Sequence, residues 1–374
     1  MAKVMVIGAL PESLTNFRGD LIRSLVEAGH QVTAMATPAS QEQVDAIKAL
    51  GADFRSFPVQ RNGLNPIQDL KTLFSLWRVF RELKPDVVLA YTIKPVIWGG
   101  IALRGDRNAR FVALITGLGF AFQGKGRLRG ALTNAVSSLY RLALGRSLAV
   151  VFQNHDDREH FVARRIASPA ICNVVGGSGV HLDRFGLRPL AAQGTVFLMV
   201  ARLLREKGVR EYAEAARQVK VRYPEAVFQL LGPEDPSPDG IPINEVQKWQ
   251  SAGHVEYFGA VSDVRPFLEN CHVFVLPSYY GEGLPRTIIE AMATGRPILT
   301  TDNVGCRETV ISGENGYLVP KANAEALAER MIWFIEHRDQ WERMGQKSRQ
   351  LAEERFDVHK VNRQLIQIMG LEPS

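Results

Sequence analysis

Short apolar runs alternate with helix-period segments along the whole of this 374-residue chain, and the alternation restarts once near the middle. In the first half, Val4–Ile7, Gln31–Ala36, Asp86–Ala90, Phe111–Ile115, Ala149–Phe152 and Cys172–Val175 read as strands. The amphipathic run Phe17–Ala28 lies between the first two and is stopped by Gly29. Residues 183–194 (DRFGLRPLAAQG) mix Pro, Gly and small side chains without periodicity and read as a linker. The second series of strands is Thr195–Val200, Ala226–Leu231, Val255–Phe258, Val273–Leu276, Ile298–Thr300 and Gly316–Val319. Strands alternating with helices imply parallel sheets covered on both faces. The expected class is α/β, with two Rossmann-like domains, 1–188 and 189–356. A last helical run, about Val358–Met369 within 357–374, is expected to pack back on the first domain. Ligands of such sheets bind beyond the carboxyl ends of the strands. Two sheets facing across a cleft would suit an enzyme that closes over two substrates and excludes water.

Composition narrows the chemistry. The net charge of +6 favours an anionic partner without naming it. Cys172, Cys271 and Cys306 are the only cysteines and form no CxxC pair, so neither a disulfide framework nor a zinc site is indicated. The opening apolar run ends at Gly8, too short for a signal peptide, and no stretch of about 18 apolar residues appears. A cytoplasmic chain without a spanning helix is expected. No Asp-x-Asp pair or Walker-type phosphate loop is present, and no metal ligand set is expected. His155–His160 (HDDREH) reads as a solvated helix start capped by Asn154, and the five tryptophans read as packing residues.

Two segments of the second half carry chemistry. Ser278–Ala293 directly follows the strand Val273–Leu276. Gly281 and Gly283 permit a tight turn, and Pro285 suits the first position of a helix that Gly295 and Pro297 end. The leading amides and positive end of that helix offer a seat for an anion. Glu282 falls in the loop and Glu290 in the helix, a Glu-x7-Glu spacing that could accept hydroxyl hydrogen bonds from a sugar or ribose. A plain strand-to-helix connection with a solvated Glu282 is the alternative, but Glu290 lies too deep merely to complement the dipole. In Val200–Gly208, Arg202 and Lys207 follow a strand and can together neutralise a diphosphate, although alone the segment equally fits a solvated basic loop.

Taken together, Arg-x4-Lys and Glu-x7-Glu, with Val255–Asp263 and Leu276–Ser278 between them and Gly176–Phe185 before the linker, resemble family 4 of the retaining GT-B glycosyltransferases. The resemblance covers essentially the whole chain. It implies that Arg202 and Lys207 contact a donor diphosphate and that Glu290 bonds ribose hydroxyls. Glu282 and the amides of Gly283, Leu284 and Arg286 would hold the donor sugar and distal phosphate, with the backbone of Gly259, Ala260 and Val261 bordering the base. It further implies transfer of a hexose or N-acetylhexosamine from a nucleotide sugar, UDP-linked by preference, by front-face substitution with retention. No permanently bound cofactor and no required metal follow from it.

Leu64–Pro66, Lys84–Val88, Tyr91–Pro95 and Ile115–Phe120 resemble family members that extend a polyprenyl-diphosphate-linked sugar in bacterial glycan, O-antigen or exopolysaccharide assembly. The implied partners are that lipid-linked glycan and the cytoplasmic face of the inner membrane. Many members carry His where this chain has Thr116, which can exchange one hydrogen bond with the reacting sugar but cannot serve as an ordinary general base. The acceptor loop would be Gly8–Gly19 with Asn16 and Arg18, and Lys94 would meet the acceptor diphosphate. Asn16 equally suits a helix cap, and Lys94 a solvated helix start. Lys125, Arg127 and Arg129 precede a helix bearing Leu132, Val136, Leu139, Tyr140 and Leu144. That segment fits an anionic membrane surface, or equally a core-facing helix with a basic outer face. The competing hypotheses are a GT-B enzyme with a soluble acceptor and a non-catalytic nucleic-acid binder. The second is disfavoured, because the basic residues gather at phosphate-loop positions rather than along one helix.

Overall fold

The computed structural model describes residues 1–60, 65–106, 108–119, 122, 127–279 and 281–371, with 127–129 described by backbone alone. It divides into two compact units: Met1–Ser178 with Val358–Ser374, and Gly179–Asp357.

The first unit is built on seven parallel strands: β1 (Lys3–Ile7), β2 (Gln31–Ala36), β3 (Asp53–Ser56), β4 (Val87–Tyr91), β5 (Arg110–Ile115), β6 (Ala149–Phe152) and β7 (Cys172–Val174). Their order is β3-β2-β1-β4-β5-β6-β7. Between them run α1 (Pro11–Glu27), α2 (Gln41–Lys48), α3 (Pro66–Leu83), α4 (Ile93–Ala102), α5 (Arg127–Leu144) and α6 (His155–Ala163). Side chains alternate across a strand, so Val4 and Val6 of β1 join a core with Leu14, Leu21 and Leu25 of α1. Met5 and Ile7 join the opposite core with Leu76, Phe80 and Val96 of α3 and α4. Burial on both faces is why the central strands read as uninterrupted apolar runs. The sequence pattern missed β3, whose side chains are mostly exposed at the sheet edge.

The second unit holds β8 (Val196–Val200), β9 (Val227–Leu231), β10 (Glu256–Tyr257), β11 (Val273–Leu276), β12 (Ile298–Thr301) and β13 (Gly316–Val319), again all parallel. Its helices are α7 (Val209–Arg222), α8 (Ile243–Ser251), α9 (Arg265–Asn270), α10 (Arg286–Ala293), α11 (Ala324–Glu336) and α12 (Trp341–Leu351). The chain then returns to the first unit as α13 (Val358–Ile368), whose Val361, Leu365 and Ile366 enter the α1 core. The order β10-β9-β8-β11-β12-β13 repeats the doubly wound arrangement of the first sheet. In both, the first strand is central and the chain leaves it in opposite directions. The crevices between β1 and β4 and between β8 and β11 are therefore the switch points where ligands of such sheets lie.

The segment 183–194 is not a loose tether. The fully buried Arg296 guanidinium donates to the carbonyls of Arg188 and Pro189 as well as to Cys271, pinning the segment to the second unit.

Candidate active site

At the β8/β11 switch, the loops after two neighbouring strands are stitched together. After β8, Arg205–Lys207 form one 3-10 turn that ends at Gly208 with φ +79°. A Cβ there would collide with the Pro277 carbonyl, so only glycine lets the β8 loop lie against the β11 loop. The Tyr279 amide and Ser278 hydroxyl both donate to the Glu206 carbonyl, at 2.8 and 3.2 Å. This seam brings Lys207 Nζ to 2.6 Å from Glu282 Oε1, with both side chains only 14% exposed. Ser278 Oγ donates to the same carboxylate at 3.0 Å.

Arg202, one turn earlier, pairs with Asp235 of the loop after β9. Burial alone would raise the Asp235 carboxyl, but hydrogen bonds from Ser237 and the Arg202 guanidinium hold it below the usual range. The Gly232 amide in turn donates to the Gly259 carbonyl at 2.8 Å, which ties the β9 loop to Gly259–Val261 beyond β10. From the other side, Thr301 and Asn303 donate to the Ser278 carbonyl. A Cβ on Gly305 would lie 2.7 and 2.8 Å from the carbonyl oxygens of Gly283 and Glu282. Loops from five adjacent strands thus brace one edge of the sheet, where Arg202, Lys207 and Glu282 collect.

α10 opens on that edge. Pro285 occupies the cap position in an extended conformation, so the helix starts one residue later than the sequence suggests and has no side-chain cap. Gly283 is buried, and Leu284 and Arg286 are half-buried in the approach. Glu290 is nearly buried one turn into the helix, with Arg286 Nε 2.9 Å away. Burial lifts the Glu290 carboxyl above its ordinary value, while Arg286 and Arg184 oppose that rise. The arrangement places three acid–cation pairs, Arg202–Asp235, Lys207–Glu282 and Arg286–Glu290, beside one helix start, which suits a ligand with both hydroxyl and phosphate groups.

The first unit has a different kind of switch point. Thr92, directly after β4, has φ +67° and ψ 158°, a conformation that favours glycine. Beside it Tyr91 is buried, its hydroxyl pushed up to about 12 by burial and 2.7 Å from Ser13 Oγ. Thr116 lies half-buried just beyond β5.

Several sequence expectations need correction here. Gly8–Gly19 is not a loop: Pro11 starts α1, so Asn16 and Arg18 stand within a helix whose cap is Leu10. Asn16 is exposed in the second turn, away from the cap position, whereas Arg18 is buried with its guanidinium over the Tyr91 ring. Lys94 is not solvated but forms a 2.8 Å ion pair with Asp69 of α3. α5 is a core-facing helix, with Val136, Tyr140 and Leu144 buried and Arg141 donating to the Arg164 and Arg165 carbonyls. Lys125 and the side chains of Arg127 and Arg129 lie outside the described residues. Asn154 does cap α6, but Asp157 beside it is buried rather than solvated, and burial pushes its carboxyl up to about 7. Trp77 is substantially exposed on α3 and lies outside the core.

Sequence reasoning also missed Asp235, Ser278 as a partner of Glu282, and the Asn303–Gly305 turn. The polar run Thr300–Asn303 at a strand end was the available signal.

The comparisons with known proteins agree with this architecture. Residues 15–176 match the glycosyl transferase 4-like domain, and residues 188–351 match the glycosyl transferases group 1 model. The chain is 28% identical over 339 residues to the N,N'-diacetylbacillosaminyl-diphospho-undecaprenol alpha-1,3-N-acetylgalactosaminyltransferase of Campylobacter jejuni, covering 87% of each chain. It is 25% identical to the UDP-Gal:alpha-D-GlcNAc-diphosphoundecaprenol alpha-1,3-galactosyltransferase of Escherichia coli, over 74% of this chain and 73% of that one. A glycosyltransferase crystal structure from Rickettsia africae superposes with a TM-score of 0.80 at 19% identity, covering 98% of this chain and 97% of that chain. With a glycosyl transferase model matched within each of its two units, the chain belongs to the group 1 and 4-like glycosyltransferases and has the GT-B architecture of two Rossmann-like domains.

Proposed function

We propose that the Gly179–Asp357 unit binds a nucleotide sugar, UDP-linked, at the β8/β11 switch. The enzyme then moves its hexose or N-acetylhexosamine, with retention, to a sugar on a polyprenyl diphosphate. The observation that carries the donor half is the convergence of Arg202, Lys207 and Glu282 on the braced edge of the second sheet. In the reaction the bond from the anomeric carbon to the phosphate oxygen breaks on the face where the acceptor hydroxyl bonds. The acceptor proton passes to the departing phosphate oxygen. Negative charge grows on the diphosphate, and preorganised cations and helix amides stabilise that growth most effectively. Lys207 and Arg202 supply the cations, and the amides of Gly283, Leu284 and Arg286 approach the distal phosphate. Glu282 accepts sugar hydroxyls, Glu290 accepts the ribose hydroxyls, and Gly259–Val261 border the base. No protein nucleophile is required.

The acceptor half rests on the relatives. The names of both the Campylobacter and Escherichia enzymes specify a sugar joined to diphosphoundecaprenol, and the latter names UDP-Gal as donor. Thr116 beyond β5 and Lys94 at the start of α4 belong to the unit assigned to that acceptor. Among the described residues no helix is long and apolar enough to cross a membrane. A polyprenyl-diphosphate-linked acceptor would hold its sugar at a bilayer surface, where the enzyme would meet it.

The test is a panel of nucleotide sugars offered with a polyprenyl-diphosphate-linked monosaccharide and, separately, with free sugars. Product anomeric configuration is read by NMR. One UDP-sugar should give a retained linkage on the lipid-linked acceptor. Inversion, or equal transfer to free sugars, would overturn the proposal.

A further inference from the structure

We infer that the outer face of α3 is a docking surface for an anionic lipid bilayer. This deepens the lipid-linked acceptor reading by assigning it a surface of the first unit, and its test is independent of donor and acceptor.

Ile67, Leu70, Phe74 and Trp77 recur at helical spacing on α3, and they are 68%, 62%, 64% and 40% exposed. Soluble proteins scatter single exposed apolar residues, but a contiguous row of four large ones marks an interaction site. The row is ordered: Phe74 and Trp77 stack with ring centroids 5.6 Å apart. Beneath it opens a groove of about 420 Å³ between α3 and the end of α4, lined by Leu70, Phe74, Trp77, Ile101 and Gly105. The opposite side of α3 is fully committed to the core through Thr72, Leu76 and Phe80. The outward apolar row is thus surplus to folding.

The charges on this face select the occupant. Lys71, Arg78 and Arg81 are exposed along the same side of α3, with Arg81 lying 4.7 Å above the Trp77 ring. The one acid among them, Glu82, is paired with Arg55 at 3.2 Å. Asp69 is turned inward to Lys94. An apolar stripe with aromatic residues and a basic border is the pattern of helices that lie in the membrane interface, where cations meet anionic headgroups and rings sit at the headgroup level. A second copy of the same face would oppose cation to cation, which disfavours self-association through it. The Asn65 side chain caps α3 by accepting from the amides of Ile67 and Gln68, so the row begins on a fixed helix start.

The experiment uses the full chain with sedimenting vesicles of phosphatidylcholine, alone or with phosphatidylglycerol, and neither donor nor acceptor. Binding should require phosphatidylglycerol and weaken with salt. Lys71→Gln with Arg78→Gln should weaken it about fivefold per cation. Leu70→Asp with Phe74→Asp should weaken it by about tenfold or more. Because all four positions are exposed, circular dichroism and melting should stay at wild-type values. Wild-type binding that ignores phosphatidylglycerol, or variants that bind like wild type, would overturn the inference. So would a dimer in solution that Phe74→Asp dissociates. Transfer to a short-chain, water-dispersed lipid acceptor without any vesicle binding would sink the docking surface and leave the acceptor reading intact.

Discussion

Replacing Lys207 separates what its charge does for the fold from what it does for the reaction. Its ammonium sits 2.6 Å from Glu282, and each side chain is 14% exposed. Lys207→Met leaves a largely buried carboxylate that keeps Ser278 but loses its countercharge. Breaking a fully buried pair costs 3–5 kcal/mol, so this partly screened one should cost about 2–3 kcal/mol. For a unit of this size that lowers its melting transition by roughly 4–12 °C. Adding Glu282→Gln removes the charge that Lys207 no longer offsets while retaining an acceptor for Ser278, and should restore most of that loss. Catalysis should behave differently. If Lys207 stabilises the leaving diphosphate, its loss should cut kcat by about 10²–10³, equivalent to ~2.7–4 kcal/mol. The double variant should recover stability and remain slow. The assay is calorimetry beside initial rates of transfer for the single and double variants, in a double-mutant cycle. A double variant that regained turnover along with stability would refute the argument, because it would make Lys207 a structural partner of Glu282 and nothing more.

Asp157 carries a pH signature. Its folded carboxyl titrates at about 7 against an ordinary value of 3.8, so between these values the native state holds a proton that the unfolded chain has lost. Stability should therefore fall as pH rises from 4 to 7, by up to about 2–4 kcal/mol, and Asp157→Asn should flatten the urea-unfolding profile and be the more stable protein at pH 8. At the seam between the β8 and β11 loops, Gly208→Ala must place a Cβ against the Pro277 carbonyl in a left-handed conformation. It should destabilise the fold by more than about 1 kcal/mol, measured by thermal unfolding, and reduce transfer beyond what the lost folded fraction explains.

The buried framework was legible in the sequence because strands covered on both faces must be apolar throughout, as Val87–Tyr91 and Val273–Leu276 are. The exposed edge strand Asp53–Ser56 lacks that constraint and left no pattern. Arg202, Lys207 and Glu282 could be marked as residues at strand ends. Their partners could not, because strand order decides them: Asp235 lies 33 positions from Arg202, and Glu282 lies 75 from Lys207. Residue type even misleads at Thr92, where a β-branched side chain occupies a backbone conformation usually left to glycine. The inward turns of Arg18 and Lys94 depend on what β4 and α3 place beside them, Tyr91 and Asp69. The apolar outer face of α3 was hidden because helical spacing alone does not say which side meets the core.

The return of α13 also sets the order of events on the ribosome. Residues 179–357 form one unbroken stretch whose interior needs no residue from outside it. The amino-terminal unit, although made first, leaves the groove beside Leu21 and Leu25 open until Val361, Leu365 and Met369 emerge. A nascent chain stalled before those last residues would display greasy surface on its earliest-made part and so become a target for chaperones.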